Sequence, residues 1–379
     1  MIKRNIYLLY AIAFLQGMVF YGPIATLYRE ARGVTILEIT VIESISLALC
    51  LLLEIPWGIL ADRIGYRRTL VVCNGLYLLS KVVFWQAETV GAFLLERVLL
   101  SVALAGLSGV DTSVLYLSCG EERSQQVFGI YEGLQTAGLL LAAFAYSASI
   151  GGDYDLAAEL TVVSYGAAAG FSLLLREVIP EEKDRSHGGK LLRDLLGVLR
   201  QPGTWLFLVG IALFNETHQV ITVFLNQLQY ARAGLPSEMM GYLYAAVTVA
   251  GGGGVFSARL TRGTGENQLL VSCCLAGAAA CVLLAVTKRA WLSVLAILAL
   301  RVVFSVLQPL RMAVQNRRIV AADRATALSI QTLLMDSVGI GTNVLFGALA
   351  EHSLPLAFAF GAGICGIGAG LLLLWSRKS

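Results

Sequence analysis

Twelve stretches of mostly apolar residues follow one another along the chain, at 5–28, 36–59, 69–87, 91–117, 125–149, 156–176, 203–228, 237–258, 267–287, 290–314, 325–350 and 354–376. A helix needs ~20 such residues to cross the hydrocarbon core of a bilayer. Lipid offers no partner to a free N–H or C=O, so each segment must satisfy its own backbone. The pattern therefore confines the chain to a bundle of twelve spanning helices. Charged residues make up only 14% of the sequence against 57% hydrophobic, where a soluble domain carries about 25% charged. A polar shell that thin cannot cover a soluble fold.

Several function classes fall away at once. A net charge of +3 gives no reason to expect nucleic acid as a partner. The seven cysteines are scattered through apolar segments with no CxxC, and read as small hydrophobes, not as disulfides or metal ligands. Gly251 to Gly254 looks like a phosphate loop but lacks the Lys-Ser/Thr ending and lies inside a span, so close helix packing explains it better. No enzyme, metal or cofactor signature is left. Lys3 and Arg4 precede an apolar run as in a signal peptide, but the run continues to Tyr28, the length of a first spanning helix.

Lysine and arginine positions test the span count. Nineteen of the 28 fall at the termini and in every second loop, five in the alternate loops and four within spans. The positive-inside rule then places both termini in the cytoplasm, which requires an even number of spans. Residues 177–202 form the one long polar connection, with Pro180, Gly188-Gly189 and a short amphipathic stretch from Leu191 to Leu199 suited to the membrane interface. It divides the chain into an N-terminal six-helix bundle (1–176) and a C-terminal one (203–379). Gly58-x-x-x-x-Arg63 recurs as Gly254-x-x-x-x-Arg259 after the second span of each half, with Ala258 where the first copy has Asp62. Repeated halves are a transporter trait, with binding expected near the midplane between them.

The turn after span 2 reads Gly58-x-x-x-Asp62-Arg63-x-Gly65-x-Arg67-Arg68. It resembles the hallmark loop of the major facilitator superfamily, and Ser108-Gly109 through Leu115-Tyr116 with Arg324-Ala-Thr-Ala-Leu-Ser329 resemble bacterial members of its drug-exporter-like branch. The resemblance implies an all-α fold of two pseudo-symmetric bundles, a monomer in the bacterial cytoplasmic membrane, and a central cavity lined by helices 1, 4, 7 and 10. It further implies that Asp62 docks at the start of helix 11, near Arg324 and Ala325, as a cytoplasmic latch, with Asp111 and Glu132 in an inner gate. Read without the family, the same arginines are a topology signal and Asp62 offsets their repulsion. One departure stands out: span 5, FGIYEGLQTAGLLLAAFAYSASIGG, lacks the proline-containing run common in proton-coupled drug antiporters.

An ionisable residue at mid-span costs at least ~2.5–3.5 kcal/mol on insertion scales, so each needs a reason. Glu216, His218, Arg301 and Asp336 all fall near the middle of spans in the C-terminal half. Burial disfavours a charged carboxylate and a nearby guanidinium favours it, a competition that suits a group loading and releasing protons. Glu216 or Asp336 is the expected proton-coupling carboxylate, with Arg301 as counter-ion or anion-binding group and His218 as a relay. A static ion pair and a hydrogen-bonded histidine remain the plainer readings. Gln16, Phe20, Tyr21, Asn215, Gln219, Phe304 and Asn343 are candidate cavity walls. Glu43, Lys81, Glu96 and Arg97 form an outer structural cluster or gate. The expected function is proton-coupled efflux of a small organic molecule by alternating access; uptake or lipid-like flipping by the same fold, or a transport-inactive sensor, are the alternatives.

Overall fold

The computed structural model of the chain describes residues 3–178, 203–318 and 324–377, with backbone alone for 55, 121, 122, 318 and 324–330. The stretch from Leu191 to Leu199 lies outside the described residues. All twelve expected spans are helices long and apolar enough to cross a membrane. In chain order they are α1 (Lys3–Ala31), α2 (Ile36–Ile64), α3 (Tyr66–Gln86), α4 (Val90–Cys119), α5 (Arg123–Ile150), α6 (Tyr154–Leu173), α7 (Thr204–Arg232), α8 (Ser237–Thr264), α9 (Glu266–Val286), α10 (Ala290–Arg318), α11 (Arg324–His352) and α12 (Leu354–Ser376). They form a multi-pass membrane protein with an all-α fold.

The helices gather into two compact units. One holds the described residues within 1–34, 45–183 and 237–245, the other those within 35–44, 184–236 and 246–379. Each unit is assembled by close crossings at glycine. In the first, a Cβ on Gly17 of α1 would collide with the backbone carbonyl of Gln135 in α5, and one on Gly138 of α5 with the carbonyl of Phe14 in α1. In the second, a Cβ on Gly210 of α7 would stand 3.1 Å from the Gly368 carbonyl of α12, and one on Gly368 2.8 Å from that of Gly210. Lipid-embedded helices gain little hydrophobic energy by associating, so such backbone-to-backbone contact supplies the packing.

The internal repeat has a cleaner register than the sequence suggests. Gly65, at φ +92°, and Gly265, at φ +83°, each fill the single-residue turn between two long helices. Only glycine takes that conformation without strain. The helices that follow run Tyr66–Gln86 and Glu266–Val286, the next pair begins at Val90 and Ala290, and the sixth and twelfth begin at Tyr154 and Leu354. Each pair is offset by 200 residues. The Gly58 and Gly254 motifs, 196 apart, are thus displaced by four residues, close to one helical turn. They match because a shift of one turn keeps the same helix face, but in structural register Arg262, not Ala258, stands where the first half has Asp62.

Two spans of the first unit are broken. α1 is helical over Lys3–Gly17, opens at Met18–Tyr21, and resumes through Gly22–Ile24 into Ala25–Ala31. α6 takes up backbone groups around this break: Ser164 Oγ donates to Leu15 O (2.6 Å), Tyr165 Oη to Gln16 O (2.7 Å), and Phe20 N to Thr161 Oγ1 (3.0 Å). α4 breaks at Ser108–Gly109, where Gly109 has φ +77°. In the second unit α7 widens into one π-helical turn, Ile221–Leu225, and Ile221 is Tyr21 plus 200. Irregular turns thus fall at the same place in the first helix of each repeat.

Candidate functional site

In the second unit the site begins on a single stretch of α7. Glu216 and His218 are 6% and 2% exposed, Phe214 is fully buried, and Asn215 is half-buried, whereas Gln219 is exposed. Glu216 lies against α11 at Gly339, where a Cβ would stand 2.5 Å from its Oε2. The carboxylate therefore occupies space that any larger residue on α11 would fill. Asp336, almost one turn earlier on α11, interacts electrostatically with Glu216, and Arg311 of α10 interacts with Asp336.

Arg301 of α10 lies against α8. Its Nη2 lies 2.7 Å from the point a Cβ would occupy on Gly251 of α8, and its guanidinium is 5.7 Å from the centroid of Phe304. On Phe304 the His218 imidazole stacks in parallel, 3.6 Å between centroids and 4° between planes. A guanidinium, a phenyl ring and an imidazole thus stand side by side across α7 and α10, with His218 within electrostatic reach of Arg301. Thr222 Oγ1 lies 3.5 Å from His218 Nε2, while the buried Nδ1 has no hydrogen-bond partner among the described residues. Next to this stack Gln308 Nε2 donates to Asn215 Oδ1 (3.1 Å). Asn343, further along α11, is 6% exposed, and its Oδ1 likewise lacks a hydrogen-bond partner among the described residues.

In the first unit Gln16 lies just before the break in α1, and Phe20 and Tyr21, both buried, lie within it. Gln16 Nε2 donates to Asn74 Oδ1 of α3 (2.8 Å). Tyr21 stacks on Phe84 at 4.0 Å, and its hydroxyl accepts from Lys81 Nζ at 3.0 Å. The ammonium of Lys81, 5% exposed, also sits 5.0, 5.3 and 5.6 Å from the ring centroids of Tyr77, Tyr165 and Tyr21. Facing rings of this kind stabilise a cation that has left water. Glu96, 1% exposed, lies 3.8 Å from both Arg29 and Arg97. Tyr77 was legible in advance, being one turn before Lys81 on α3; Tyr165, on a distant helix, carried no such signal. Arg311 was visible as a fourth intramembrane cation, but nothing in the sequence paired it with Asp336.

The charged turn has a local function of its own. Arg67 reaches the end of α6: its Nε donates to Leu175 O (2.6 Å) and its Nη2 to Leu173 O (3.0 Å). In return the Glu177 carboxylate accepts from Arg67 N (3.1 Å), in the first turn of α3. A cation on a helix C-terminus and an anion on an N-terminus both match the helix dipole. A Cβ on Gly65 would stand 3.0 Å from Glu177, a second reason for glycine there. Gly58 meets nothing within 4 Å. Asp62, Arg63 and Arg68 are exposed, and Tyr66 Oη donates to Asp62 Oδ1 at 3.4 Å. The expected latch partner, the Arg324 side chain, lies outside the described residues. Asp111 accepts from Tyr131 Oη (3.0 Å) and Thr112 N (2.6 Å), while Glu132 is exposed.

Comparison with known proteins agrees with this architecture. An uncharacterised MFS-type transporter of Methanocaldococcus jannaschii is 25% identical over 145 residues, 38% of this chain and 38% of that protein. The match thus spans well under half of that relative's length. The crystal structure of the nucleoside transporter NupG superposes with a TM-score of 0.82 at 15% identity, covering 99% of this chain and 100% of that one. The peptide transporter POT in complex with sulfate gives 0.76 at 14%, covering 99% and 94%. A bacterial homologue of the human lysosomal transporter Spinster, in an inward-facing occupied conformation, gives 0.73 at 16%, covering 99% and 96%. At these identities the likeness is one of fold. Residues 6–342 match the Major Facilitator Superfamily, and with twelve spans in two repeats offset by 200 residues the chain belongs to that family of membrane transporters.

Proposed function

We propose that the chain is a proton-coupled secondary transporter that moves a small polar organic molecule across a bacterial cytoplasmic membrane by alternating access. In this reading two six-helix halves joined by the 177–202 linker rock about a central site, the protein acts as a monomer, and both termini are cytoplasmic. Family membership supports transport as the activity and a non-enzymatic scaffold. Proton coupling is supported by one observation above all: Glu216 is 6% exposed, pressed on Gly339, and shares its surroundings with Asp336. A like-charged pair with one carboxylate buried and the other half-buried is costly unless a proton or a cation relieves it. Arg311 and a proton are then alternative partners of the pair.

The stack of Arg301, Phe304 and His218 with Asn215 and Gln219 would supply the substrate-facing chemistry of the second half, and Gln16, Phe20 and Tyr21 that of the first. Such walls offer hydrogen bonds and aromatic faces, which suit a planar polar solute. Export, by resemblance to drug exporters, is the direction proposed, and nucleosides, short peptides and cationic dyes are the solutes to try first. In proteoliposomes with an imposed pH gradient, wild type should accumulate its solute, whereas Glu216→Gln and Asp336→Asn should lose gradient-driven accumulation yet retain solute exchange. Intact gradient-driven transport in both variants would end the coupling assignment. A gradient that never moves solute in wild type would end proton coupling itself.

A further inference from the structure

α8 changes form toward its C-terminal end, running as a tight 3-10 stretch over Gly251–Phe256 before one more α-helical segment, Ser257–Thr264. Glycines let α10 approach there. A Cβ on Gly254 would stand 2.9 Å from the Ser305 carbonyl oxygen, and one on Gly253 would stand 3.2 Å from a Val302 methyl. Beside this joint runs a groove of about 500 Å³ walled by Gly253, Phe256, Leu260, Gly263, Val302 and Val306, with Arg259 and Thr264 as its polar members. That volume lies within the ~300–1,000 Å³ of sites that enclose a small ligand. Phe256 is 58% and Leu260 42% exposed, and Arg259 is exposed with no hydrogen bond or ion pair among the described residues.

We propose that this groove holds one anionic phospholipid, with an acyl chain along the glycine joint and its phosphate on Arg259. Depth along the helix supports this occupant. α8 has 28 residues, about 42 Å at ~1.5 Å each, enough to cross the ~30 Å hydrocarbon core with its ends among headgroups. Arg259 is five residues from the end of the span at Thr264 and Gly253 eleven, so a helix that crosses the core would carry Arg259 near the headgroups and Gly253 among the acyl chains. A polar solute would find only Arg259 and Thr264 to bond. A lipid tail gains close contact in the groove, and its phosphate gains a cation that has no carboxylate of the protein among the described residues. Arg262, one turn on and also exposed, adds positive charge beside it.

The test uses the full-length purified protein in detergent, titrated with phosphatidylglycerol or phosphatidylcholine and read by native mass spectrometry. One phosphatidylglycerol should be retained saturably and phosphatidylcholine should be retained less. Arg259→Gln should weaken phosphatidylglycerol about five-fold and phosphatidylcholine, whose phosphate is offset by its own choline cation, by less. Gly263→Leu should remove the retained lipid of either kind, because a Cβ at Gly263 meets nothing within 4 Å and so points into open groove. Unchanged melting temperatures in lipid-free detergent check that both variants fold. Equal retention of the two lipids, or retention that Gly263→Leu leaves intact, would overturn the proposal. So would a protein dimer in the same spectra that Gly263→Leu abolishes while lipid occupancy stays the same.

Discussion

The residue whose role differs most from its sequence reading is Arg67. In sequence it is one of three arginines in a topogenic turn, but its side chain closes the carbonyl of Leu173, the last residue of α6, at 3.0 Å and that of Leu175 just beyond it at 2.6 Å. Charge-assisted hydrogen bonds contribute ~1.5–3 kcal/mol each when buried, and solvent screening at this half-exposed site brings the pair to about 1–3 kcal/mol in all. Arg67→Ala should lower the melting temperature of the purified protein, and Arg67→Lys should recover only part, since one ammonium cannot reproduce the fork that spans two carbonyls. Arg63→Ala and Arg68→Ala, both exposed, should leave it within error. An Arg67→Ala protein as stable as wild type would return the residue to topology alone. The contrast shows what sequence spacing can convey. It marks which residues are exceptional for a membrane, as it did for Glu216, Asp336 and Arg301, because the cost of burying a charge is a property of the residue itself. It does not convey partners, because Leu173 and Leu175 present backbone carbonyls that no sequence motif encodes.

At the scale of helices, length and apolarity made all twelve spans legible, since the bilayer sets a minimum that the sequence must meet. The interruption of α1 at Met18–Tyr21 was not legible, although Gly17 and Gly22-Pro23 border it. Apolar content continues straight through the break, and the groups that stabilise it, Thr161, Ser164 and Tyr165, lie on α6. The four-residue slip in the repeat has a similar origin, as a helix face repeats each turn and only the positive-φ glycines fix the register. Crossings at glycine lead to a graded expectation. Gly17→Val and Gly138→Val force a side chain onto a backbone carbonyl of the partner helix, which cannot rotate away. Overpacking typically costs ~1–3 kcal/mol and more where backbone must move, so both should drop sharply in yield and melting temperature. Gly75→Ala, on the neighbouring α3 with nothing within 4 Å of its Cβ, should be neutral or stabilising by up to ~1 kcal/mol. Similar losses in all three would mean that glycine matters here for helix propensity and not for the crossing.

For the whole molecule, fold and orientation rest on different physics. The fold follows from backbone satisfaction in lipid and is common to transporters only 14–16% identical to this chain. Orientation follows from where lysine and arginine sit relative to the spans, and these are distributed 19 to 5 between the two sides. Twelve spans would put both termini on one side, and by the positive-inside rule the charge distribution predicts that side to be the cytoplasm. Green fluorescent protein fused to either end should therefore fluoresce, and alkaline phosphatase fused to either end should be inactive. Fusions after Gly33 or Gly234, in loops of the opposite side, should show the reverse. The second half makes the sharper test, because its first-side turn keeps Arg259 and Arg262 while the equivalent of Asp62 is itself an arginine. Acidic residues contribute little to topology, so Asp62→Asn should leave the reporters unchanged, whereas neutralising Arg63, Arg67 and Arg68 together should raise phosphatase activity at fusions close after α2. Reporters active on opposite sides at the two termini would require an odd number of spans, and one of the twelve helices would then lie along the membrane instead of across it.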